Sequence, residues 1–284
     1  MIILKKRSDL QRYLRQQRKK GITIGFVPTM GALHHGHTSL INSSKKENEL
    51  TVSSIFVNPA QFNDPSDFEK YPITIEKDIY ELEQQDCDVL FLPSVEEIYP
   101  TGENIAEHFD LDYLETILEG KFRPGHFQGV CKVMKRLLTI VEPDNLYMGQ
   151  KDYQQCMVIK RLIEVLNLKI HFHICPTLRE KEGLAMSSRN LRLTTEEKDK
   201  ALAIYQSLRL FKKEYQNKSF DELKETAKQL LTNSGFTKID YIEIANADNL
   251  TLLDEWDGKT PLVALIAAFI GDVRLIDNMI LTNE

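Results

Sequence analysis

Three histidines lie close together early in the chain, in the stretch VPTMGALHHGHTSL at 27–40. Gly31 and Gly36 enclose four residues and Thr38 follows, which is the spacing of the phosphate loop G-x-x-x-x-G-K-[ST] with His37 in the lysine position. Such a loop needs the lysine, and it needs an acidic residue after a second strand to hold magnesium. Neither is found at those places, so the sequence does not favour a P-loop enzyme.

The histidines leave three other hypotheses open. His34 and His37 are three residues apart and could share a helix face to bind zinc with His35, although no cysteine or acidic residue nearby completes the set. They could instead only cap the start of a helix. The third hypothesis is an H-x-G-H phosphate site, in which both histidines donate hydrogen bonds to a nucleotide phosphate and Gly36 lets the backbone approach it.

Two further stretches place polar side chains at predicted strand ends, where ligands of parallel sheets bind. SIFVNPAQFNDPSDFEKYP presents Asn58 and Gln61, whose amides could bind the hydroxyls of a small substrate or only close a turn. LYMGQKDYQQ brings Lys151 to a helix start, with Gln155 one helical turn further on. A lysine there could contact a phosphate group.

Two loops add positive charge and hydroxyl groups. LREKEGLAMSSRN contains the run Ser187, Ser188 and Arg189, which could bind an anion, and Gly183 would give that loop freedom to close. EGKFRPGHFQGV places Arg123 and His126 on either side of a Pro-Gly pair before a helix, where they could bind an anionic group or only set the helix start.

The composition is that of an ordinary globular protein, with 284 residues of which 42% are hydrophobic and 27% charged. A net charge of −6 argues against a general nucleic-acid-binding protein. The four cysteines show no C-x-x-C spacing, so we expect reduced thiols. The basic N-terminal stretch lacks the apolar core of a signal peptide, and the apolar run at 262–270 is too short to span a bilayer. We therefore expect an intracellular protein that binds neither nucleic acid nor membrane.

Apolar runs alternate with helical patterns from the start of the chain. The basic stretch predicts a short helix capped by Ser8 and stopped by Gly21. Strands are predicted at 22–27, 51–57, 88–93, 145–149 and 169–175, with helices at 37–49, 74–85, 126–141 and 153–167. This alternation predicts a parallel sheet covered on both faces, with ligands beyond the carboxyl ends of its strands.

The pattern changes after Cys175. Two amphipathic helices are predicted at 194–216 and 219–235, with Thr195 and Ser219 as caps and Gly235 as a stop. Three strands follow at 238–246, 261–271 and 274–281. We therefore place a boundary near Pro176 and predict two domains, 1–176 and 177–284, the second with helices on a mostly antiparallel sheet.

The ordered motifs PTMGALHHGH, SIFVNPAQF, YP, LEGKFRPGHFQGV, MGQKDYQQ, GLAMSSRN and RLIDN together resemble the pantothenate synthetases, or pantoate–β-alanine ligases. H-x-G-H alone marks only the wider nucleotidylyltransferase superfamily, whereas the ordered set is specific to this family. The resemblance runs from about residue 23 to 191 and returns at 269–278. It implies an α/β fold: a Rossmann-like domain with a doubly wound parallel sheet, and a smaller α+β C-terminal lid domain.

The resemblance also implies an activity. The enzyme would be a cytoplasmic homodimer that uses ATP and Mg²⁺ to condense (R)-pantoate with β-alanine to pantothenate. The reaction would pass through pantoyl adenylate and release pyrophosphate and AMP. The exposed face of the second strand, 51–57, is a candidate dimer contact.

Individual roles are carried over from the family motifs to the matching positions. His37, His34 and Lys151 would be catalytic, Gln61 and Gln155 would bind pantoate, and Gln61 would also bind β-alanine. Asp78 would help to hold magnesium. The residues implied for the ATP site are Met30, Gly31, Ala32, Leu33, His34, His35, Gly36, His37, Gly149, Gln150, Lys151, Asp152, Leu178, Met186, Ser187, Ser188 and Arg189.

Three positions depart from the family pattern. His35 adds an imidazole at the variable centre of H-x-G-H, Ile73 stands where many members carry a basic residue after YP, and Gln150 replaces a common glutamate. Two other hypotheses remain open at this point. One is a simple nucleotidylyltransferase acting on a phosphorylated acceptor, and the other is a non-catalytic nucleotide-binding protein of the same fold.

Overall fold

The protein is described from a computed structural model over residues 1–61, 69, 71–100 and 107–282. The predicted polar stretch at 54–72 therefore lies partly outside the described residues. The chain divides into two compact units, Met1–Gly149 with Val158–Pro176, and Gln150–Met157 with Thr177–Glu284. Residues 150–157 thus group with the second unit, while the prediction assigned them to the first domain. The functional domains and the lid role of 177–284 stay predictions.

The first unit is built on a six-stranded sheet whose neighbouring strands are all parallel, in the order β1-β4-β3-β2-β5-β6. The strands are β1 (Ile2–Leu4), β2 (Ile24–Thr29), β3 (Leu50–Ile55), β4 (Val89–Phe91), β5 (Asn145–Gly149) and β6 (His171–Cys175). The helices are α1 (Arg7–Arg18), α2 (His35–Glu47), α3 (Ile75–Gln84), α4 (Val95–Ile98), α5 (Leu118–Phe122), α6 (His126–Val141) and α7 (Tyr153–Val165), the last of which begins in the second unit. The predicted parallel α/β sheet is confirmed.

The second unit packs two helices on a three-stranded antiparallel sheet of order β7-β8-β9. Its elements are α8 (Thr195–Glu214), α9 (Phe220–Asn233), β7 (Lys238–Asn246), β8 (Leu262–Ile270) and β9 (Val273–Ile280). Its core includes Phe211, Leu231 and Ile244, all fully buried. The predicted α+β arrangement is confirmed, and burial of one helix face and one sheet face stabilises it.

Two predicted helix caps are wrong. Helix α1 begins at Arg7 after Lys6, so Ser8 lies inside the first turn. The cap of α8 is Thr194 rather than Thr195: its hydroxyl accepts the Glu197 N–H at 3.2 Å, and the Glu197 carboxylate accepts the Thr194 N–H at 2.9 Å. This reciprocal pair satisfies two backbone donors that the helix cannot satisfy itself.

The strand predicted at 51–57 is β3, and the prediction that it has an exposed face for a dimer contact is also wrong. All six residues of β3 are buried, because the strand is central and covered on both faces. None of the described helices is both long and apolar enough to cross a membrane.

Candidate active site

The corner between β2 and α2 is held by one buried carboxylate. Gly31 and Ala32 both have positive φ, +83° and +49°, so the chain turns sharply after the strand. Asp78 on α3 is fully buried, and its oxygens accept the Ala32 N–H at 3.0 Å and the Leu33 N–H at 2.8 Å. The Thr74 hydroxyl donates to the same carboxylate at 3.0 Å. Asp78 therefore fixes the backbone of the glycine loop.

His34 and His37 are oriented by the start of α2. Nδ1 of His34 accepts the Gly36 N–H at 3.1 Å, and Nδ1 of His37 accepts the His34 N–H at 3.4 Å. The ring centroids are 4.1 Å apart. Because Nδ1 accepts in both rings, each neutral imidazole carries its proton on Nε2. Both rings thus have an N–H donor directed away from the helix backbone, while His35 is exposed.

Gln61 lies in the 3₁₀ turn Pro59–Gln61 that follows β3. Its Nε2 donates to the sulfur of Met30 at 2.7 Å, so the amide sits beside the end of the glycine loop. Nδ1 of His126 bonds to the Gln61 carbonyl at 2.8 Å, and the Arg123 guanidinium contacts Nε2 of His126 at 3.1 Å. Within this unit, the structure brings together the predicted phosphate loop and the predicted pantoate residue.

The Asn58 side chain is buried behind this turn and stabilises it by hydrogen bonds; it does not face an open crevice. It is almost fully buried, and its Nδ2 donates to the Gly129 carbonyl at 3.2 Å and to the Gln61 side chain at 3.3 Å. Its oxygen accepts the Tyr99 hydroxyl at 3.0 Å, and burial raises the pKa of Tyr99 to about 12. Gly129 leaves no room for a side chain, because a Cβ there would collide with the Ala60 carbonyl.

Arg123 is bonded within this unit. Its guanidinium lies 3.6 Å from the nearly buried Glu119 carboxylate as well as beside His126. Gly125, with φ of +79°, precedes the first residue of α6. These contacts support the hypothesis that Arg123 sets the helix start.

The predicted residues of the second unit lie on two short segments. Gln150, Lys151 and Asp152 form a 3₁₀ turn before α7, and the ammonium group of Lys151 lies 3.6 Å from the Asp152 carboxylate. Gln155 is half-buried on the first turn of α7.

The second segment begins with a hairpin over 178–186. The Met186 N–H donates to the Leu178 carbonyl at 3.0 Å, and Arg179 bridges to Ala185. Ser187 follows and caps the 3₁₀ turn Ser188–Arg192 by accepting the Arg189 N–H at 3.2 Å. The predicted run therefore begins at a capped turn, and the Ser187 hydroxyl serves as the cap.

Gly183 lies in a tightly packed turn, whereas the sequence predicted that it gives this loop freedom to close. It is buried in the hairpin with φ of +109°, and a Cβ there would collide with the Tyr205 ring. Its N–H donates to the Glu180 carbonyl at 2.9 Å. The glycine is required for close packing and for its backbone conformation.

Asp78 bonds to the protein at both of the oxygens that would have to hold magnesium. Both of its oxygens already accept backbone N–H groups, and the side chain is fully buried. Among the described residues, no three His, Cys, Asp or Glu side chains are grouped so that they could bind a metal. The zinc hypothesis for the histidines gains no support, and the magnesium role of Asp78 stays a prediction.

Comparison with known proteins identifies the arrangement. A sequence profile of the family described as Pantoate-beta-alanine ligase matches residues 2–280. The pantothenate synthetase of Cytophaga hutchinsonii is 44% identical over 283 residues, which are 99% of each chain. The chain belongs to the pantoate–β-alanine ligase family. The predicted family and enzyme class, and the pantothenate-forming activity, are thereby confirmed.

Solved structures of pantoate–β-alanine ligases agree with this assignment. Pantothenate synthetase from Thermus thermophilus matches with a TM-score of 0.92 and 35% identity, covering 100% of both chains. The ligase from Francisella tularensis matches with a TM-score of 0.81 and 40% identity, covering 99% of this chain and 97% of that one. The predicted fold class is confirmed.

Two residues that shape this ligase site, Tyr99 and Gly129, were not assigned roles from the sequence, and the contact that His126 makes differs from the anion contact suggested for it. Tyr99 and Gly129 hold Asn58, and His126 holds the Gln61 backbone. The motif LEGKFRPGHFQGV contains two of them, but their partners lie 65 and 71 residues away. Sequence spacing indicated that these residues matter without indicating what they contact.

Proposed function

We propose that this ligase works in two steps through a pantoyl adenylate. A carboxylate oxygen of (R)-pantoate attacks the α-phosphorus of ATP, and pyrophosphate leaves with the electrons of the broken P–O bond. The neutral amine of β-alanine then attacks the acyl carbon, loses a proton, and AMP leaves. The Francisella relative is described as complexed with Beta-gamma ATP and Beta-alanine, which supports the same two ligands here.

The observation that carries the proposal is the orientation of the two histidines. Their Nδ1 atoms accept backbone N–H groups, which places the proton of each neutral ring on Nε2. We assign His37 and His34 to the α-phosphate, where negative charge develops as the carboxylate attacks. Donors fixed before the reaction stabilise such charge without reorganising, and losing one typically lowers the rate by about 10²–10³.

We assign the second unit the task of neutralising phosphate charge. Lys151 brings an ammonium group at the start of α7, and Ser187, Ser188 and Arg189 bring hydroxyl and guanidinium groups. Fixed positive charge of this kind stabilises the departing pyrophosphate. The remaining proposed ATP residues are Met30 to His37, Gly149 to Asp152, Leu178 and Met186.

Pantoate is assigned to Gln61 and Gln155, and β-alanine to Gln61. An amide can donate to and accept from a hydroxyl, and a site that bonds a substrate hydroxyl strongly rejects analogues without it. The contacts of Gln61 with Met30 and of its carbonyl with His126 support this assignment, because they fix the amide beside the glycine loop.

Pyrophosphate exchange tests the chemistry. Labelled pyrophosphate should enter ATP only when pantoate is present, with β-alanine omitted, and AMP release should then require β-alanine. Exchange that needs a phosphorylated acceptor instead would support a simple nucleotidylyltransferase. ATP binding with neither activity would leave only a nucleotide-binding protein.

We propose that the ligase is a cytoplasmic homodimer. None of the four cysteines, all of which lie in the described residues, forms a disulfide, which suits a reducing compartment. In the described part of the sheet, β6 pairs only with β5, and such an open edge can pair with a second copy. Light scattering of the purified protein checks the dimer, and a monomer mass would contradict it.

Magnesium is proposed as a partner of ATP rather than as an ion held by the chain. In nucleotide enzymes this ion is bound largely by substrate phosphates and water. The roles proposed for the side chains do not depend on it.

A further inference from the structure

Asn278 on β9 bonds to the turn that carries Lys151. Its Nδ2 donates to the carbonyls of Gln150 and Lys151, both at 2.8 Å, and its oxygen accepts the Gln150 side chain at 3.1 Å. Asn278 is only 2% exposed. One buried amide thus fixes two successive peptide groups directly before α7.

The neighbouring residue, Asp277, forms a buried ion pair with Arg179. The guanidinium donates to both carboxylate oxygens, at 2.6 and 3.1 Å, and to the Asn278 carbonyl at 3.2 Å. It also donates to the Gly183 carbonyl at 3.1 Å, and it lies 4.6 Å from the Tyr205 ring centroid. A bidentate ion pair of this kind fixes the relative orientation of the guanidinium and the carboxylate as well as their distance.

Arg179 belongs to the hairpin that leads into Ser187. Bonds across the hairpin join Glu180 to Leu184 at 2.8 Å and Met186 to Leu178 at 3.0 Å. The guanidinium therefore anchors this hairpin to β9 at the residue next to Asn278. Two adjacent residues of one strand hold both segments of the second unit that carry the proposed phosphate-binding groups.

We propose that Asp277 and Asn278 are positioning residues for the adenylation step: Asn278 fixes the Lys151 turn, and Asp277, through Arg179, fixes the base of the Ser187–Arg189 segment. The proposal rests on the phosphate role proposed above for Lys151. It gives a task to the RLIDN motif, which lies more than a hundred residues beyond the Lys151 turn in sequence.

A purely structural role would be shared by a second ion pair in the same sheet. Arg274 donates to Asp240 at 2.7 Å, and their side chains are 18% and 3% exposed, against 17% and 5% for Arg179 and Asp277. Lys238 also lies 3.0 Å from Asp240. This pair offers a matched control, because its side chains are equally buried and its bond joins β9 to β7.

The first experiment compares Asp277→Asn with Asp240→Asn by thermal unfolding and by pantoate-dependent pyrophosphate exchange. Both substitutions keep the size of the side chain and remove one buried charge, so both should lower the unfolding temperature. Only Asp277→Asn should lower kcat, by about 10-fold to 10²-fold, since displacing a reacting group by about 1 Å costs up to that factor. Equal kcat values for the two variants would overturn the role of Asp277.

The second experiment is a double-mutant cycle of Asn278→Asp and Lys151→Ala. Asn278→Asp keeps the oxygen that Gln150 bonds but turns the two N–H donors into an acceptor facing two carbonyls. It should lower kcat by about 10-fold to 10²-fold and change KM for pantoate by less than about twofold. In the Lys151→Ala background it should cause no further loss, because Asn278 acts through Lys151.

The outcomes separate the proposal from its premise. If Lys151→Ala alone keeps full activity, the phosphate role of Lys151 fails. If Lys151→Ala is impaired while Asn278→Asp is not, or if the two losses multiply, Asn278 is not a positioning residue. If Asn278→Asp does not fold, Asn278→Ala, which removes the two N–H donors without adding a charge, takes its place in the same cycle. Arg179→Lys, with Arg274→Lys as its control, tests the Asp277 arm a second time. A loss of kcat confined to Arg179→Lys supports the proposal, and equal losses refute it.

Discussion

Replacing Asp78 with Asn distinguishes the structural role seen for this carboxylate from its predicted magnesium role. The change keeps the shape of the side chain but leaves one acceptor oxygen and introduces an NH₂ group. One of the two backbone donors, Ala32 N–H or Leu33 N–H, then faces another donor. The loop that precedes the two histidines loses its fixed position.

The size of the effect follows from burial. A hydrogen bond to a charged group contributes about 1.5–3 kcal/mol, and a buried donor left without a partner costs about 1–3 kcal/mol. Since Asp78 is fully buried, solvent cannot replace the missing acceptor. We expect Asp78→Asn to lower the free energy of unfolding by about 2–4 kcal/mol. For a protein of this size that corresponds to about 3–7 °C in the unfolding temperature.

Calorimetry and kinetics over a magnesium series measure both effects. Glu76→Gln is the control, because it removes a carboxylate charge from the same first turn of α3 but at an exposed position. Asp78→Asn should unfold earlier than Glu76→Gln, and its kcat/KM for ATP should stay low at every magnesium concentration. A displaced loop is expected to cost up to about 10² in rate.

The opposite pattern would refute the reasoning. If Asp78→Asn unfolds like Glu76→Gln and excess magnesium restores its activity, then Asp78 acts on the ion. The bonds to the glycine loop would then contribute little to its position.

Three other predictions follow from the described contacts. His37→Ala should lower kcat by about 10²–10³ with little change in KM for ATP, because the ring acts on developing charge. If steady-state kinetics show that kcat and the affinity for ATP fall by the same factor, His37 is a binding residue only. Gly129→Ala should raise KM for pantoate, because its Cβ collides with the Ala60 carbonyl in the Gln61 turn; an unchanged KM would contradict this. Burial raises the pKa of Cys87 and of Cys131 to about 12, above their usual 9.0. Between these pH values unfolded thiols ionise while folded ones stay neutral, so the free energy of unfolding should fall from pH 9 toward 12 in urea titrations; a flat profile would refute it.

Local sequence pattern was enough for several elements. The bounds predicted for α6, β5 and β7 are those observed: the apolar positions of α6 repeat with the period of a helix, and β5 and β7 are short apolar runs. Strand β1 was not predicted. It has only three residues, is mostly exposed, and exists through pairing with β4 more than eighty residues away.

The site residues show the same difference between what local sequence predicts and what depends on distant contacts. The histidines, Gln61 and Lys151 could be proposed because their residue types stand at strand ends and helix starts. The partners that fix them could not, because those bonds join distant parts of the chain: 45 residues separate Asp78 from Leu33, and 127 separate Asn278 from Lys151. A motif in the sequence thus mixes residues that face the ligand with residues that hold them.

The two hypotheses for the H-x-G-H histidines, helix capping and phosphate chemistry, are compatible in this structure. A capping residue needs only an acceptor for the orphan N–H groups of the first turn, and asparagine or serine supplies one. An imidazole supplies that acceptor at Nδ1 and still carries a donor at Nε2 on the other side of the ring. The cap therefore fixes the direction of the proposed catalytic N–H, and it also selects the tautomer. His35, which points to solvent between them, accepts no such bond among the described contacts and gains no part in this arrangement.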